Sequence, residues 1–255
     1  MSQNDKKLPV VLSCIKSMLK SGGIPEYALE AELILAYVLS SSRIDVLVDT
    51  HKELSGEELS KTLELAEKRL SGFPIQYILG VREFMGLSFH VSPSVLIPRV
   101  DTEILVETAL SYIKRENAEN ILEIGTGSGC IAVSLAKFSK ANIYALDISG
   151  EALSVAGLNA EKNEVSVNFL QSDLFSSLPC GFTAFFDAVV SNPPYIPTGE
   201  IPFLMKEVSF EPVSALDGGA DGLDFYRKIA SGSKRFLKPG GALILETGHL
   251  QGEAL

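Results

Sequence analysis

The tetrapeptide Asn192-Pro193-Pro194-Tyr195 follows a predicted strand, 185–191, and its residue types suit the binding of a planar NH2 group. Asn192 offers a side-chain carbonyl as an acceptor. Pro193 keeps its backbone carbonyl but has no N–H, and the Pro-Pro pair stiffens the loop in an extended shape. Tyr195 supplies a flat face against which an amide or a base can lie. Held by two carbonyl acceptors, such a group would present its nitrogen lone pair to an electrophile. A proline-rich turn without chemistry is the alternative for these four residues taken alone.

A glycine turn follows an earlier predicted strand and is a candidate cofactor site. Its residues are Gly125, Thr126, Gly127, Ser128 and Gly129. Glycine permits unusual backbone angles and lets a ligand approach the main chain closely. A dinucleotide-binding loop would place its third glycine at position 130, where this chain has cysteine. The spacing therefore favours a nucleoside ligand without a pyrophosphate, although a structural turn is the simpler alternative.

Acidic residues follow the next two predicted strands. Asp147 lies where a doubly wound sheet points an acceptor at ribose hydroxyls, and the alternative is a carboxylate that caps the next helix. Asp173 and Leu174 could flank an adenine, or Asp173 could only cap a turn. Glu123 could reach an amino group of the ligand through water, or it could be structural.

From about residue 101 onward, the pattern predicts strands that alternate with helices. The predicted strands are 120–124, 142–146, 165–170, 185–191 and 242–246, and the predicted helices are 101–114, 129–139, 150–163 and 222–237. This alternation indicates a mostly parallel α/β sheet with right-handed crossovers. Ligands bind beyond the carboxyl ends of such strands. The glycine turn, Asp147 and the tetrapeptide all lie there.

The first 80 residues read as a helical bundle. Helices are predicted from Leu8 to Lys20, from Pro25 to Leu39, and through Leu70 after a capping box at Ser55-Gly56-Glu57-Glu58. This region carries no visible chemistry, so it is either a substrate-recognition domain or a packing unit. We predict three parts: a helical domain over 1–80, an interdomain hairpin and linker over 81–99, and a catalytic domain over 100–255.

Composition narrows the class of protein. The chain has 255 residues, 46% of them hydrophobic, and no apolar run long enough to span a membrane, which predicts a cytoplasmic protein. Its three cysteines are far apart, so we expect neither disulfides nor a metal site, and each cysteine is expected to be buried. The three histidines match no hydrolase motif. A formal net charge of −10 argues against nucleic acid as the substrate.

The motifs together resemble the class I S-adenosylmethionine-dependent methyltransferases, which have a Rossmann-like sheet. Other stretches are similar to the HemK/PrmC family. They are Tyr77-Ile78-Leu79-Gly80, Phe84-Met85-Gly86-Leu87-Ser88-Phe89, Val95-Leu96-Ile97-Pro98-Arg99-Val100-Asp101-Thr102-Glu103, Phe210-Glu211-Pro212 and Asp217-Gly218-Gly219-Ala220-Asp221-Gly222-Leu223. That family methylates the side-chain amide of the glutamine in the Gly-Gly-Gln loop of class 1 peptide chain release factors. The resemblance therefore implies S-adenosyl-L-methionine as cofactor and a release factor as partner.

The resemblance also assigns roles to residues. The glycine turn would bind the methionine part of the cofactor, Asp147 its ribose, and Asp173 with Leu174 its adenine side. Asn192 would contact both cofactor and glutamine, and the two prolines and the tyrosine that follow it would complete the amide pocket. The segment 96–99 would cover the site, unless Arg99 instead pairs with a structural carboxylate.

Three alternatives remain open at this point. An adenine-amino methyltransferase uses the same tetrapeptide on a flipped base, but it would need a basic face. A ribosomal-protein glutamine methyltransferase would share the same site. A non-catalytic cofactor-binding module is the third, because the family's sheet has seven strands and this chain ends shortly after the fifth. The last two strands and their helix are therefore expected to be missing.

Overall fold

A computed structural model describes residues 6–249 and 251–252. The chain divides into two compact units. The first comprises the residues up to Gly80 together with Lys206–Phe210, and the second comprises Val81–Met205 and the residues from Glu211 onward. In the part of the chain that is described, no helix is both long enough and apolar enough to cross a membrane.

The first unit is a bundle of helices around an apolar core. Its helices are α1 (Leu8–Ser21), α2 (Tyr27–Val38), α3 (Arg43–Val48), α4 (Gly56–Leu70) and α5 (Ile75–Leu79). The predicted capping box is present: Ser55 accepts from the backbone of Glu58, whose side chain accepts from Ser55 N. The sequence reading missed α3, which has its own capping box at Ser42 and Asp45, and the short α5.

A buried arginine ties the distant segment 206–210 into this first unit. The Arg69 Nε atom donates to Glu30 Oε2 over 2.6 Å, and its Nη2 donates to Glu207 Oε1 over 3.1 Å. The Phe210 ring packs edge-on against Phe73 at 5.2 Å. A buried charge is tolerated only when it is paired, so Glu30 and Glu207 make the burial of this arginine possible.

The second unit contains a five-stranded sheet in which all strand pairs are parallel. Its strands are β3 (Asn120–Ile124), β4 (Asn142–Asp147), β5 (Asn168–Gln171), β6 (Phe186–Ser191) and β7 (Leu237–Leu245), in the order β5-β4-β3-β6-β7. The helices are α6 (Thr102–Glu116), α7 (Cys130–Phe138), α8 (Gly150–Lys162) and α9 (Asp224–Phe236). An antiparallel hairpin of β1 (Val81–Phe84) and β2 (Leu87–His90) precedes them.

The hairpin has a two-residue turn. Only Met85 and Gly86 connect the strands, both with positive φ, as in the two-residue turns that match the twist of a hairpin. Leu87 and Ser88 already belong to β2.

Side chains of alternate strand residues build one core on each face of the sheet. On one face Ile121, Ile143 and Ala188 pack with residues of α6 and α7. On the other face Leu122 and Val189 pack with residues of α9. This alternation follows from the two-residue period of a strand, and both faces are covered, as parallel sheets require.

The expectation that all three cysteines are buried is wrong for two of them. Cys130 is buried at the start of α7, but Cys14 and Cys180 are exposed. Cys14 lies on the outer side of an amphipathic helix, and Cys180 lies in a surface turn. All three thiols are free.

Glu123 is the charged residue at the centre of this fold. It lies in β3 with no exposed surface. Its Oε2 accepts from Thr126 Oγ1 over 2.7 Å and from Ala132 N over 3.1 Å, so one carboxyl oxygen ties the strand to the glycine turn and to α7. Its Oε1 has no hydrogen-bond partner among the described residues. Desolvation raises the pKa of Glu123 to about 7. Of the two sequence-based alternatives, these contacts support the structural one.

Replacement of Glu123 by glutamine should flatten the pH dependence of stability. Between about pH 4.5 and 7, the folded protein holds a proton that the unfolded chain releases, so the free energy of unfolding falls as the pH rises. Across this whole pH range the free energy of unfolding is expected to fall by about 3 kcal/mol. Urea denaturation at pH 5, 6, 7 and 8 measures the slope for wild type and Glu123→Gln, with the exposed Glu161→Gln as the control. Identical slopes for wild type and Glu123→Gln would contradict this account.

Candidate active site

The register of four strands places the predicted site residues in one row. Leu146, Ile124, Ser191 and Leu245 pair side by side at the carboxyl ends of β4, β3, β6 and β7. The residues that follow them emerge at the same edge of the sheet: Asp147, Gly125, Asn192 and Glu246. The sequence predicts Asp147, Gly125 and Asn192 at this edge, but not Glu246.

The glycine turn leaves its backbone open to a ligand. Gly125 and Gly127 have φ angles of 74° and 54°, in the left-handed region that favours glycine. A Cβ atom at either position would meet nothing within 4 Å, so space lies over the main chain at both. Thr126 and Ser128 are buried beneath the turn. The turn therefore has the open main chain that the predicted nucleoside ligand requires.

Asp147 is bound to the glycine turn. Its Oδ2 accepts from Gly127 N over 2.8 Å, and its Oδ1 accepts from Ser149 N over 2.9 Å. The alternative of a helix cap is wrong, because α8 is capped by Ser149, whose hydroxyl accepts from Ala152 N. Each carboxylate oxygen has a second lone pair, so Asp147 can accept hydroxyl donors while it holds the turn.

Asp173 and Leu174 lie in the turn after β5. Asp173 is exposed, and its backbone carbonyl accepts from Ser176 N over 3.0 Å. Leu174 has a φ of 49°, and its carbonyl accepts from the buried Ser172 hydroxyl. The positive φ of a leucine is strained, and this hydrogen bond helps to hold it.

The Asn192 amide is oriented by its surroundings. Its Nδ2 donates to the buried Thr102 hydroxyl over 3.2 Å. Among the described residues, neither Asn192 Oδ1 nor the carbonyl oxygen of Pro193 accepts a hydrogen bond. These are the two acceptors that the sequence predicts for an NH2 group.

The glycine-rich segment 217–223 packs against the backbone of the tetrapeptide. Ile196 and Asp217 form a parallel bridge, and Gly218 N donates to Ile196 O over 2.8 Å. A Cβ at Gly218 would lie 2.8 Å from the carbonyl oxygen of Pro194 and from the Tyr195 Cα. Only glycine permits this approach, so the segment fixes the backbone path of the loop.

Tyr195 is half-buried in this arrangement. Desolvation raises its pKa, and the nearby Glu246 carboxylate adds to the shift. The Tyr195 phenol is therefore neutral at physiological pH.

Arg99 pairs with a structural carboxylate, which was one of the two alternatives for it. Its Nη2 donates to Glu211 Oε1 over 2.6 Å, and Ile97 N donates to Glu211 Oε2 over 3.3 Å. The Glu211 side chain is only 2% exposed. This pair joins the 96–99 segment to the Glu211-Pro212 segment, two of the stretches that carried the family resemblance.

Glu246 is the residue of this row that the sequence reading assigned to a strand. The strand ends at Leu245, and the Thr102 hydroxyl and the Asn192 amide lie close enough to the Glu246 carboxyl to lower its pKa. The signal that could have identified it is positional: Glu246 follows β7 as Asn192 follows β6, and Asp147 is the last residue of β4. Among the described residues, no group of three or more His, Cys, Asp or Glu side chains could hold a metal ion.

Two family models match the chain. The PrmC N-terminal domain matches residues 11–80, and the Methyltransferase small domain matches residues 99–207. Among solved structures, the hMettl16 catalytic domain in complex with an RNA hairpin is similar, at 18% identity and a TM-score of 0.49, over 78% of this chain and 72% of that one. At that level of similarity nothing follows about the substrate.

Curated relatives align with nearly the whole chain. Release factor glutamine methyltransferase of Geobacter sulfurreducens is 44% identical over 247 residues, which is 96% of this chain and 85% of that protein. The protein of the same name from Moorella thermoacetica is 44% identical over 240 residues, 93% of this chain and 84% of that one. With the parallel sheet and the methyltransferase domain, they confirm the class I methyltransferase fold and S-adenosylmethionine as its cofactor. The chain belongs to the release factor glutamine methyltransferase family.

Proposed function

We propose that this chain transfers a methyl group from S-adenosylmethionine to the side-chain amide nitrogen of the glutamine in the Gly-Gly-Gln motif of class 1 peptide chain release factors. The observation that carries this proposal is the position of Asn192 Oδ1 and the Pro193 carbonyl, both without a described donor, at the edge of the sheet that also bears the glycine turn. The names of the relatives supply the substrate. Since release factors act on ribosomes, we place the reaction in the cytoplasm.

The proposed chemistry activates a poor nucleophile. When bound, S-adenosylmethionine supplies a sulfonium methyl group, which the amide nitrogen takes with release of S-adenosylhomocysteine and one proton. Asn192 Oδ1 and the Pro193 carbonyl accept the two N–H hydrogens and favour a pyramidal nitrogen, whose lone pair is then less delocalised. The same two dipoles stabilise the positive charge that develops on nitrogen. Pro194 stiffens the loop, and the Tyr195 ring lies against the amide plane.

The same proposal assigns the cofactor contacts. The main chain of the glycine turn approaches the cofactor at Gly125, Gly127 and Gly129, and the side chains of Thr126 and Ser128 are buried. Asp147 accepts from the ribose hydroxyls. Asp173 and Leu174 lie at the adenine. The double role of Asp147 supports this, because the carboxylate that would hold the ribose also accepts from Gly127 N.

Recognition of the release factor by the helical domain is part of the proposal. Helix α3 exposes Ile44, Leu47 and Val48, which are spaced three and four residues apart and therefore lie on one side of the helix. Exposed apolar side chains grouped in this way are typical of protein-binding surfaces. The recognition role of residues 1–80 stays a prediction.

A substrate panel tests the proposed function. The protein is incubated with radiolabelled S-adenosylmethionine and, separately, a class 1 release factor, the same factor with its motif glutamine changed to alanine, a ribosomal protein carrying a methylated glutamine in other species, and an adenine-containing DNA duplex. We expect label only in the unaltered release factor. Label in the duplex or the ribosomal protein alone would assign the alternative substrate, and no label in any of them would support the non-catalytic module.

Asn192→Ala should lower turnover far more than cofactor affinity. Loss of one preorganised polar group at a developing charge typically costs about 10²–10³-fold in kcat. Single-turnover kinetics and calorimetric titration of the cofactor separate the two effects. The control is Asn168→Ala, which removes an exposed amide from β5 at the far edge of the sheet. A near-normal rate for Asn192→Ala on the release factor would refute the mechanism.

Asp147→Ala should weaken cofactor binding. The variant loses an ionised acceptor for the ribose and the bond that holds Gly127 N. Hydrogen bonds to charged groups contribute about 1.5–3 kcal/mol, so we expect the dissociation constant to rise by roughly 10- to 100-fold. Calorimetry measures it, with Glu151→Ala in the first turn of α8 as an exposed acidic control. An unchanged dissociation constant would remove Asp147 from the cofactor site.

A further inference from the structure

A carboxylate without an assigned role lies beside the Asn192 amide. Glu246 follows β7, and its backbone is fixed on both sides: its N–H donates to Ser191 O over 3.1 Å, and its carbonyl accepts from the Tyr226 hydroxyl over 3.0 Å. The Oε2 atom of Glu246 is buried and has no hydrogen-bond partner among the described residues. A buried carboxylate oxygen in this state is costly, so its retention calls for an explanation.

Glu246, Thr102 and Asn192 form a small polar cluster. The Asn192 Nδ2 atom donates to Thr102 Oγ1 over 3.2 Å, and Thr102 is only 2% exposed. The Thr102 hydroxyl and the Asn192 amide also lie close enough to the Glu246 carboxyl to lower its pKa. A hydroxyl has a single hydrogen. Since Thr102 Oγ1 accepts from Asn192, that hydrogen is free to turn towards the Glu246 carboxylate.

The Thr102 acceptor and the neighbouring Glu246 carboxylate favour one orientation of the Asn192 amide. An ionised carboxylate accepts and cannot donate. With the carboxylate and the Thr102 oxygen on one side, the NH2 end of the amide must face them. The carbonyl end, Oδ1, then faces away, and no described residue donates to it.

We infer that Glu246 is a positioning residue, which orients Asn192 through Thr102 so that Oδ1 is presented to the NH2 group of the substrate. The inference deepens the proposed function and rests on it for the identity of that NH2 group. The orientation of Asn192 itself is a property of the free protein, and it can be measured without a substrate.

The charge state of Glu246 sets the pH range in which this orientation holds. Burial raises its pKa, against the lowering effect of hydrogen bonds from Thr102 and Asn192. The other charged groups that act on it are Asp101, which raises the pKa, and Arg99, which lowers it. The hydroxyls of Tyr195 and Tyr226 are close enough for Glu246 to raise their own pKa values. Once protonated, Glu246 is itself a donor, and the amide of Asn192 is no longer restricted to one orientation.

The substitution Glu246→Gln tests the role in catalysis. It keeps the shape and adds a donor, so we expect kcat on the release factor to fall by at least ~10-fold at pH 8, with cofactor affinity within ~3-fold. The wild-type kcat should fall as the pH drops through the raised pKa of Glu246. The kcat of the variant should not show this fall. Glu107→Gln, which removes an exposed carboxylate from α6, is the matched control. Thr102→Val removes the acceptor of Asn192 Nδ2 and should lower kcat in the same direction if Glu246→Gln does not fold.

A double-mutant cycle separates positioning from an independent role. If Glu246 acts through Asn192, then adding Glu246→Gln to Asn192→Ala should change kcat by less than ~2-fold. Equal fold-losses in both backgrounds would show that Glu246 acts on its own, for example as a proton acceptor, and would overturn the inference. A wild-type kcat for Glu246→Gln would do the same.

A spectroscopic test is independent of the substrate. In ¹⁵N-labelled protein, the side-chain NH2 signals of Asn192, assigned by their loss in Asn192→Ala, should titrate with pH and lose that titration in Glu246→Gln. If they titrate but the wild type labels no release factor, the proposed function fails and the positioning role stands. If the wild type labels the release factor and these signals do not respond to Glu246→Gln, the positioning role fails.

Discussion

The site depends on four parallel strands that end side by side at the same edge of the sheet. Ser191 Oγ donates to Ile124 O over 2.7 Å in a fully buried position, which fixes β6 against β3 where the glycine turn and the tetrapeptide begin. In a strand, a slip by one residue moves every side chain to the opposite face. A slip of β6 would therefore bury Asn192 or turn it away from Thr102. The chemistry of the loop is only available because the hydrophobic pattern of the sheet sets this register.

The tetrapeptide does not hold its own shape. Pro-Pro stiffens the chain locally, but the path of Tyr195 is set by the segment 217–223, where Gly218 approaches the backbone of Pro194. Gln251 Nε2 donates to Tyr195 O over 3.0 Å and adds a second support. These contacts link residues more than 20 positions apart in the chain, so the orientation of the acceptors is a tertiary property. For this reason the sequence of the tetrapeptide alone is also compatible with a turn that has no chemical role.

The sequence predicted the elements with strong local patterns and missed those that need a tertiary partner. Strand β3 was predicted residue for residue, whereas β7 starts five residues earlier than predicted. The predicted strand begins only after Pro239-Gly240-Gly241, but β7 is at the edge of the described sheet, where a strand tolerates proline. Glu246 was missed because its role depends on Thr102 and Asn192, which lie far away in sequence. The exposure of Cys14 and Cys180 likewise depends on which helix face and which turn the fold leaves uncovered.

Charge at this edge of the sheet is consistent with a small cationic cofactor and a neutral amide rather than with a polyanion. Asp147 ends one of the four aligned strands and Glu246 follows another, and Asp101 acts on Glu246 as a like charge. Arg99, the basic residue that acts on Glu246, is already paired with Glu211. A nucleic acid backbone gains its affinity from unpaired Lys and Arg side chains. A sulfonium loses its charge on methyl transfer, so acidic groups around the site favour the bound donor over its spent product.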